Sequence, residues 1–230
     1  MKKIVFPFMS IIMLGLSGCF NGGDNISTFP VAPAIVDFYS AILQPKIITY
    51  YGTFFAPELQ KAMFTDLDDG DAIYTYFSVN YDQQPSSAEH YTVSEMQWIK
   101  VGRAYPAATP GGESTDDDFD VSIKDMKCAW MYDNIVFFEF EHTAPIDQKF
   151  TYEMTYDSDD PSVVYFRAKK NGTGTQTTST LIYPYTFDMR FFPKDADNKL
   201  NFYIKYQVVD EEGNVEYKDW SDKPFEVIVE

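Results

Sequence analysis

Apolar and polar residues alternate along much of the chain with the period of a β-strand. The clearest run is residues 200–208, where every second position is apolar. Residues 72–81 alternate in the same way, and residues 47–55 are rich in β-branched and aromatic side chains. Successive side chains of a strand point to opposite faces, so a period of two indicates strands with one buried face. The pattern predicts an all-β chain.

The second half of the chain has the pattern of an antiparallel β-sandwich. Strand patterns cover residues 121–131, 135–141, 150–156, 163–168, 180–187 and 200–208. Residues 132–134 separate the first two patterns and predict a hairpin with Val136, Phe138 and Phe140 on its buried face. Short strands at this spacing favour two packed sheets.

The first half predicts a small barrel. Strand patterns at residues 47–55, 72–81 and 93–101 surround one stretch, residues 57–64, that begins with proline and contains good helix formers. A proline start followed by an early acid is typical of a helix N-terminus. We therefore expect at most one or two short helices among strands that would suit a barrel.

Two stretches without periodicity set the expected domain boundaries. Residues 20–33 mix Gly, Asn, Ser and Pro, and residues 106–118 have no apolar pattern. Such composition is typical of tethers and linkers. The sequence predicts a tether at 19–33, a first domain at 34–105, a linker at 106–118 and a second domain at 119–230.

The N-terminus carries the most specific signal. Lys2 and Lys3 precede an apolar stretch, residues 4–16, which is shorter than the roughly 20 residues that span a bilayer. The stretch ends in Leu16-Ser17-Gly18-Cys19, which resembles the lipobox of bacterial lipoproteins. The resemblance implies that residues 1–18 are a cleaved signal peptide and that Cys19 is acylated. The alternative is an ordinary secretory signal with an incidental cysteine.

An acylated Cys19 needs no transmembrane helix to hold the protein on a membrane. Each buried methylene contributes about 0.8 kcal/mol, so two or three acyl chains anchor a protein stably. Cys128 would then be the remaining cysteine and would have no disulfide partner. It lies in an apolar strand pattern, and we expect a buried, inert thiol.

Charge narrows the classes of partner. The formal net charge is −17, and it becomes more negative once the segment with Lys2 and Lys3 is removed. Phosphate groups would repel such a chain, so nucleic acid is not an expected partner, and neither is anionic lipid bound through a basic face. The remaining candidates are a membrane held through the anchor and an envelope protein or a glycan.

Enzyme and metal patterns are not found in the sequence. It has no nucleophile elbow, zinc-protease motif, phosphate loop or dinucleotide fingerprint. His90 and His142 are expected to be ordinary surface or strand residues, and residues 66–71 depart from a calcium loop because the glycine is misplaced. Glu139 and Glu141 share an exposed strand face. We therefore expect no catalytic, cofactor-binding or metal-binding residues.

The lipobox, the acidic turn at 67–71 and the hairpin at 126–140 together resemble the NigD-like lipoproteins of Bacteroides and its relatives. The resemblance implies an N-terminal OB-like barrel and a C-terminal β-sandwich. It implies no catalytic or binding residues, and an immunity role is attached to the family by its bacteriocin-linked operon. Fimbrillin-type lipoproteins, which are also lipidated and β-rich, are the nearest alternative family.

The predicted function follows from these observations. We expect a non-catalytic lipoprotein of the cell envelope, in the outer membrane and facing either side, that acts through protein contacts. The alternative is a glycan-binding or adhesin-like protein, because aromatic side chains exposed on strands can stack on sugar rings. The aromatic candidates are Tyr50, Tyr51, Tyr74, Tyr76, Tyr105 and Trp220.

Overall fold

The computed structural model describes residues 25–38, 44–112 and 119–228. These residues form an all-β protein of two compact units, and the boundary along the chain falls between Val101 and Gly102. The first unit contains β1 (Ile26–Asp37), β2 (Lys46–Thr49), β3 (Gly52–Phe55), β4 (Ala72–Asn80), β5 (Tyr91–Thr92) and β6 (Glu95–Lys100). The second contains β7 (Gly102–Ala104), β8 (Ala107–Thr109), β9 (Asp125–Tyr132), β10 (Ile135–Pro145), β11 (Lys149–Asp157), β12 (Val163–Asn171), β13 (Thr178–Asp188), β14 (Lys199–Val209), β15 (Val215–Asp219) and β16 (Phe225–Ile228).

The first sheet closes into a barrel. Its strand order is β5-β3-β2-β1-β4-β6, and β5 and β6 at its two edges are separated in sequence by Val93 and Ser94 alone. The N–H of Val93 donates to Phe55 of β3 (2.9 Å), while the N–H of Ser94 donates to Ser78 of β4 (2.8 Å). Two adjacent residues thus join both edges of the sheet. The order around the barrel is that of an OB-fold, which confirms the predicted barrel.

The interior of the barrel is apolar. Phe29 stacks on Phe77 with ring centroids 4.6 Å apart, and Phe54 packs against both. The other buried core side chains of the barrel are Ala34, Val36, Ile47, Ala56, Leu59, Ala62, Leu67, Ile73, Val79 and Val93. Full burial of a residue such as Phe77 contributes about 1.5–3 kcal/mol, so this core holds the barrel together without a disulfide.

The predicted helix at residues 57–64 is two short 3₁₀ helices, Pro57–Gln60 and Ala62–Phe64. No side chain caps either start, and the run is too short for an α-helix to offset its nucleation cost. Leu59 and Ala62 are buried against the barrel, so packing fixes this segment. No helix among the described residues is long and apolar enough to cross a membrane.

The tether is shorter than predicted. Strand β1 begins at Ile26, inside the predicted tether, and residues 26–29 pair with the last part of β4. The pairing shifts register between Phe29 and Ala32, which accommodates Pro30 because a bulge spares proline a ladder hydrogen bond. Pro30 and Pro33 interrupt the alternation of apolar and polar residues, so the sequence did not predict this part of β1 as a strand. Residues 1–18, the predicted signal peptide, and Cys19 lie outside the described residues.

The second unit is a β-sandwich. One sheet has the order β7-β13-β10-β9, and the other has the order β15-β14-β12-β11-β8, with β16 pairing with β14. The β9–β10 hairpin is confirmed, and its turn places Asp133 in the left-handed region (φ 51°). The interior includes Val136, Phe138, Phe140, Tyr152, Met154, Phe166, Phe187, Leu200, Phe202, Ile204 and Tyr206.

Two details of the sandwich differ from the prediction. The sheets are mixed and not purely antiparallel, because β7–β13, β8–β11 and β12–β14 are parallel pairs. The domain boundary also comes earlier than the predicted linker at 106–118. Strands β7 and β8 are already paired within the sandwich sheets, and residues 113–118 lie outside the described residues. Strands of three residues give too little pattern to be recognised in a sequence.

Candidate functional site

The thiol of Cys128 lies on β9, where it is half-buried. Burial raises its pKa to about 11, so the thiol stays protonated at neutral pH. Cys128 pairs with Phe138, and His142 lies four residues further along β10, roughly 13 Å away at the rise of a strand. Cys128 and His142 therefore do not form a nucleophile–base pair.

His142 is part of the sandwich interior. Its side chain is 1% exposed, its ring stacks on Phe150 with centroids 4.2 Å apart, and its Nδ1 donates to the carbonyl of Ser122 (2.9 Å). Its Nε2 has no hydrogen-bond partner among the described residues. Burial lowers its pKa to about 4, so the ring is neutral at physiological pH. The prediction of an ordinary strand residue fits this buried position.

The carboxylates on the outer face of β10 are paired with lysines. Glu139 bonds to Lys127 (2.8 Å) across the β9–β10 ladder, and Glu141 bonds to Lys124 (3.0 Å), which directly precedes β9. They line a shallow depression beside Asp125, Met126 and Ile182. Carboxylates paired in this way on one open face lack the facing arrangement across a cleft that glycosidase chemistry requires.

The acidic turn at residues 66–71 is held by its own carboxylates. Asp69 accepts a hydrogen bond from the N–H of Phe38 (2.8 Å) and Asp71 accepts one from Asp68 (2.7 Å). Asp71 also bonds to Lys100 at 2.6 Å. These oxygens shape the turn. Within the described ranges, no group of three or more His, Cys, Asp or Glu residues is placed to hold a metal ion.

The structure divides the six aromatic candidates. Tyr50, Tyr51 and Tyr105 are exposed, whereas Tyr74 is buried and Tyr76 and Trp220 are half-buried. The indole N–H of Trp220 donates to the carbonyl of Met126 (2.9 Å) at the edge of β9, which gives this ring a structural role.

A group of exposed side chains that the sequence did not single out lies at one end of the sandwich. We call Tyr105, Tyr132, Arg190 and Phe191 the sandwich tip. Register places these residues together: β7, β9 and β13 all end there, with Ala104 opposite Phe187 and the start of β10 opposite both Tyr132 and Asp188. The ring of Phe191 is 76% exposed and lies 5.9 Å from that of Tyr105.

Arg190 is held rigidly within the sandwich tip. Its Nε donates to Oδ1 of Asp188 (2.9 Å) and its Nη2 donates to Oδ2 (2.7 Å). The Asp188 side chain is fully buried, while that of Arg190 is half exposed. A bidentate pair fixes the guanidinium plane, so Arg190 presents one orientation to a partner.

A local signal could have revealed the sandwich tip. Phe191 and Phe192 are adjacent at the end of a strand pattern, and Pro193 follows them. Side chains of neighbouring residues rarely reach the same core, so one of the two rings had to face outwards. Phe192 is the buried ring and packs on Phe202, with centroids 5.0 Å apart, which leaves Phe191 in solvent.

Solved structures with a similar fold cover about nine-tenths of this chain. A NigD-like immunity protein from Bacteroides caccae is 10% identical, with 90% of this chain and 99% of that chain covered and a TM-score of 0.50. A protein described as a lipoprotein from Bacteroides fragilis is 12% identical, with coverage of 89% and 99% and a TM-score of 0.52. A toxin-related protein from Parabacteroides distasonis is 11% identical, with coverage of 88% and 94% and a TM-score of 0.53.

A scan against protein-family models found no match, and a search of curated proteins found none. At 10–12% identity the structural likeness concerns the fold. The chain has the two-domain, all-β fold of a NigD-like protein of Bacteroides, as its sequence resemblance to that family implies.

Proposed function

We propose that this chain is a non-catalytic cell-envelope lipoprotein, anchored in the outer membrane through acyl chains on Cys19, which binds another protein through the sandwich tip. The observation that carries the proposal is the geometry of the tip. Three exposed rings lie at the same end of the sandwich as a guanidinium whose orientation is fixed by the buried carboxylate of Asp188.

The residue types of the tip are those that dominate protein interfaces. Tyrosine and arginine are enriched among the few residues that supply most of the binding energy. A partner binding Arg190 would not have to order it first, since Asp188 already does so. The names of the similar structures, an immunity protein and a lipoprotein, favour an envelope setting and a protein partner for this chain as well.

The interface can be tested by comparing two variants of the acylated chain. Phe191→Ser combined with Arg190→Ala removes the most exposed ring and the fixed charge of the tip. Tyr203→Ser, at an exposed tyrosine on β14, is the matched control. A partner cross-linked from envelope membranes by the wild type and by Tyr203→Ser, and lost with the tip variant, is the expected result. Equal capture by all three proteins would contradict the proposal.

The anchor is tested separately. Intact-mass measurement of the native protein should show a chain that begins at Cys19 and carries acyl chains, and Cys19→Ser should leave the protein in the soluble fraction. An unmodified thiol in the native protein, or a different start site, would rule out the anchoring part of the proposal.

Glycan binding is the weaker alternative. It rests on exposed aromatic side chains, and three of the six candidates are not fully available because they are buried or half-buried. The exposed ones belong to different domains, with Tyr50 and Tyr51 in the barrel and Tyr105 in the sandwich. Retention of the purified chain on an affinity gel of a common host or dietary glycan would restore this alternative.

A further inference from the structure

Exposed apolar side chains cluster at one end of the barrel. We call this end the barrel base and define it by Ile26, Tyr50, Tyr51 and Tyr91. All four are exposed, with Tyr50 the most exposed at 51%. Strands β1 and β5 begin at this end, β4 ends there, and the β2–β3 hairpin turns there.

Ring contacts connect the base to the rigid barrel. The hydroxyl of Tyr50 donates to that of Tyr51 (2.7 Å), and the ring of Tyr51 lies 5.1 Å from the half-buried Phe29. On the other side, Tyr91 packs edge-on against Tyr81 (5.0 Å), whose N–H donates to the carbonyl of Asn25 (2.8 Å). Each exposed ring is therefore supported by a neighbouring ring of the barrel.

The chain that follows Cys19, the proposed site of acylation, enters the barrel at this base. Asn25 is six residues after Cys19, and a fully extended chain advances at most about 3.3–3.6 Å per residue. Asn25, which directly precedes β1 at the base, therefore lies within about 20 Å of Cys19. The chain leaves the barrel at the opposite end, where the N–H of Val101 donates to Ala72.

The chemistry of the base suits the headgroup region of a bilayer. Tyrosine is enriched at membrane interfaces, because its ring is apolar and its hydroxyl can bond to headgroups. Residues 25–31, 49–53 and 78–92 at this end contain no Lys or Arg, and they contain Asp82 and Glu89. The base therefore has no electrostatic attraction to anionic lipid and fits a zwitterionic surface better.

We infer that the barrel base lies against the membrane that holds the acyl chains, with Tyr50, Tyr51 and Tyr91 in the headgroup region. This inference rests on the proposed acylation of Cys19, since the short tether is what holds the base near the bilayer. It assigns the barrel a definite orientation, in which the Ile26 end of β1 lies at the membrane and the Asp37 end points away from it.

The test uses the acylated full-length chain in vesicles of phosphatidylcholine, with a fluorescent label at a single introduced cysteine in a Cys128→Ser background. The label replaces Gln83, which is exposed at the base, or Gln60, which is exposed in the 3₁₀ helix between β3 and β4 at the opposite end. Intact mass is measured first on each preparation, so a failure of acylation is recognised before any label is read.

The expected result is a label at position 83 that is several-fold less accessible to an aqueous quencher than the label at 60, and that is quenched by a lipid-borne quencher. Combining Tyr50→Ser, Tyr51→Ser and Tyr91→Ser should remove that difference while the protein stays acylated. Equal aqueous quenching at both positions of the acylated wild type would overturn the inference. Protection that persists in the triple variant would overturn it too, because the tyrosines would then contribute nothing. If the three tyrosines instead bind a glycan, the label at 83 is protected by added sugar and not by vesicles.

Discussion

Acidification from pH 6.5 to pH 4 should destabilise the sandwich because His142 is buried in its neutral form. Burial lowers the pKa of His142 from 6.5 to about 4. Between these values the unfolded chain binds a proton that the folded chain excludes, so the free energy of unfolding falls as the pH falls. Above pH 6.5 neither state binds it, and below pH 4 both do. The dependence is therefore confined to this window.

The size of the effect follows from the shift. Each unit of pKa difference corresponds to about 1.4 kcal/mol, so the loss across the window is about 3 kcal/mol. That is a large part of the 5–15 kcal/mol that stabilises a typical domain.

Other acid-sensitive groups act at lower pH. Hydrogen bonds from Gln176, Ser162 and Asn214 lower the pKa values of Asp147, Asp160 and Asp210 respectively below 3.8, so the stability they contribute is lost below that pH.

The assay is urea unfolding at pH values from 7.5 to 4, followed by tryptophan fluorescence. His142→Phe keeps an aromatic ring against Phe150 and removes the titrating group, so its free energy of unfolding should be nearly flat across the window. His90→Phe is the matched control, because it replaces a histidine and leaves His142 and its contacts in place, so the slope that His142 produces should remain. A wild type equally stable at pH 7 and pH 4.5, or a His142→Phe variant with an unchanged slope, would refute the assignment.

Three further predictions concern single residues of the sandwich. Trp220→Phe leaves the carbonyl of Met126 without its indole partner (2.9 Å), so urea unfolding should show a loss of about 1–3 kcal/mol, and an unchanged midpoint would contradict this role. Gly102→Ala would place a Cβ 2.8 Å from Cδ2 of Tyr185, so it should also cost about 1–3 kcal/mol, and a stabilised variant would show that the ring moves aside freely. Because its pKa is raised to about 11, Cys128 should react several-fold more slowly with a thiol reagent at pH 8 in the folded acylated chain than in urea, and equal rates would disprove a shielded thiol.

The alternation of residues along a strand was enough to predict the main sandwich strands. In β14, Leu200, Phe202, Ile204 and Tyr206 are buried as the pattern requires, because one face of that strand covers the shared core. Gln207, on the other face, is fully buried as well.

Gln207 is buried because a distant segment covers it. Its side-chain amide donates to the carbonyl of Phe119 (3.0 Å), which also accepts a bond from Arg167 (2.6 Å). Phe119 precedes Gln207 by 88 positions in the sequence. A periodic pattern indicates that one face of a strand is polar. It does not indicate which distant segment will cover that face and form hydrogen bonds with its side chains. The adjacent Phe191 and Phe192 could have indicated that one ring is exposed, but the sequence could not show that Tyr105 and Tyr132 lie at the same end, because the tip is assembled from the ends of separate strands.

The two exposed aromatic surfaces differ in chemistry in a way that fits two kinds of partner. The four residues of the barrel base are three tyrosines and an isoleucine, none of them charged, and a fluid lipid surface requires no particular geometry from them. The sandwich tip offers Arg190 locked by a buried carboxylate, and a fixed direction is useful only against a partner with a complementary fixed group. Substitutions at the tip should therefore reduce partner capture and leave the barrel's orientation on the membrane unchanged. Substitutions at the base should change that orientation and leave partner capture unchanged. Loss of both properties from either set of substitutions would mean that the surfaces are not independent, and the separate roles argued from their chemistry would fail together.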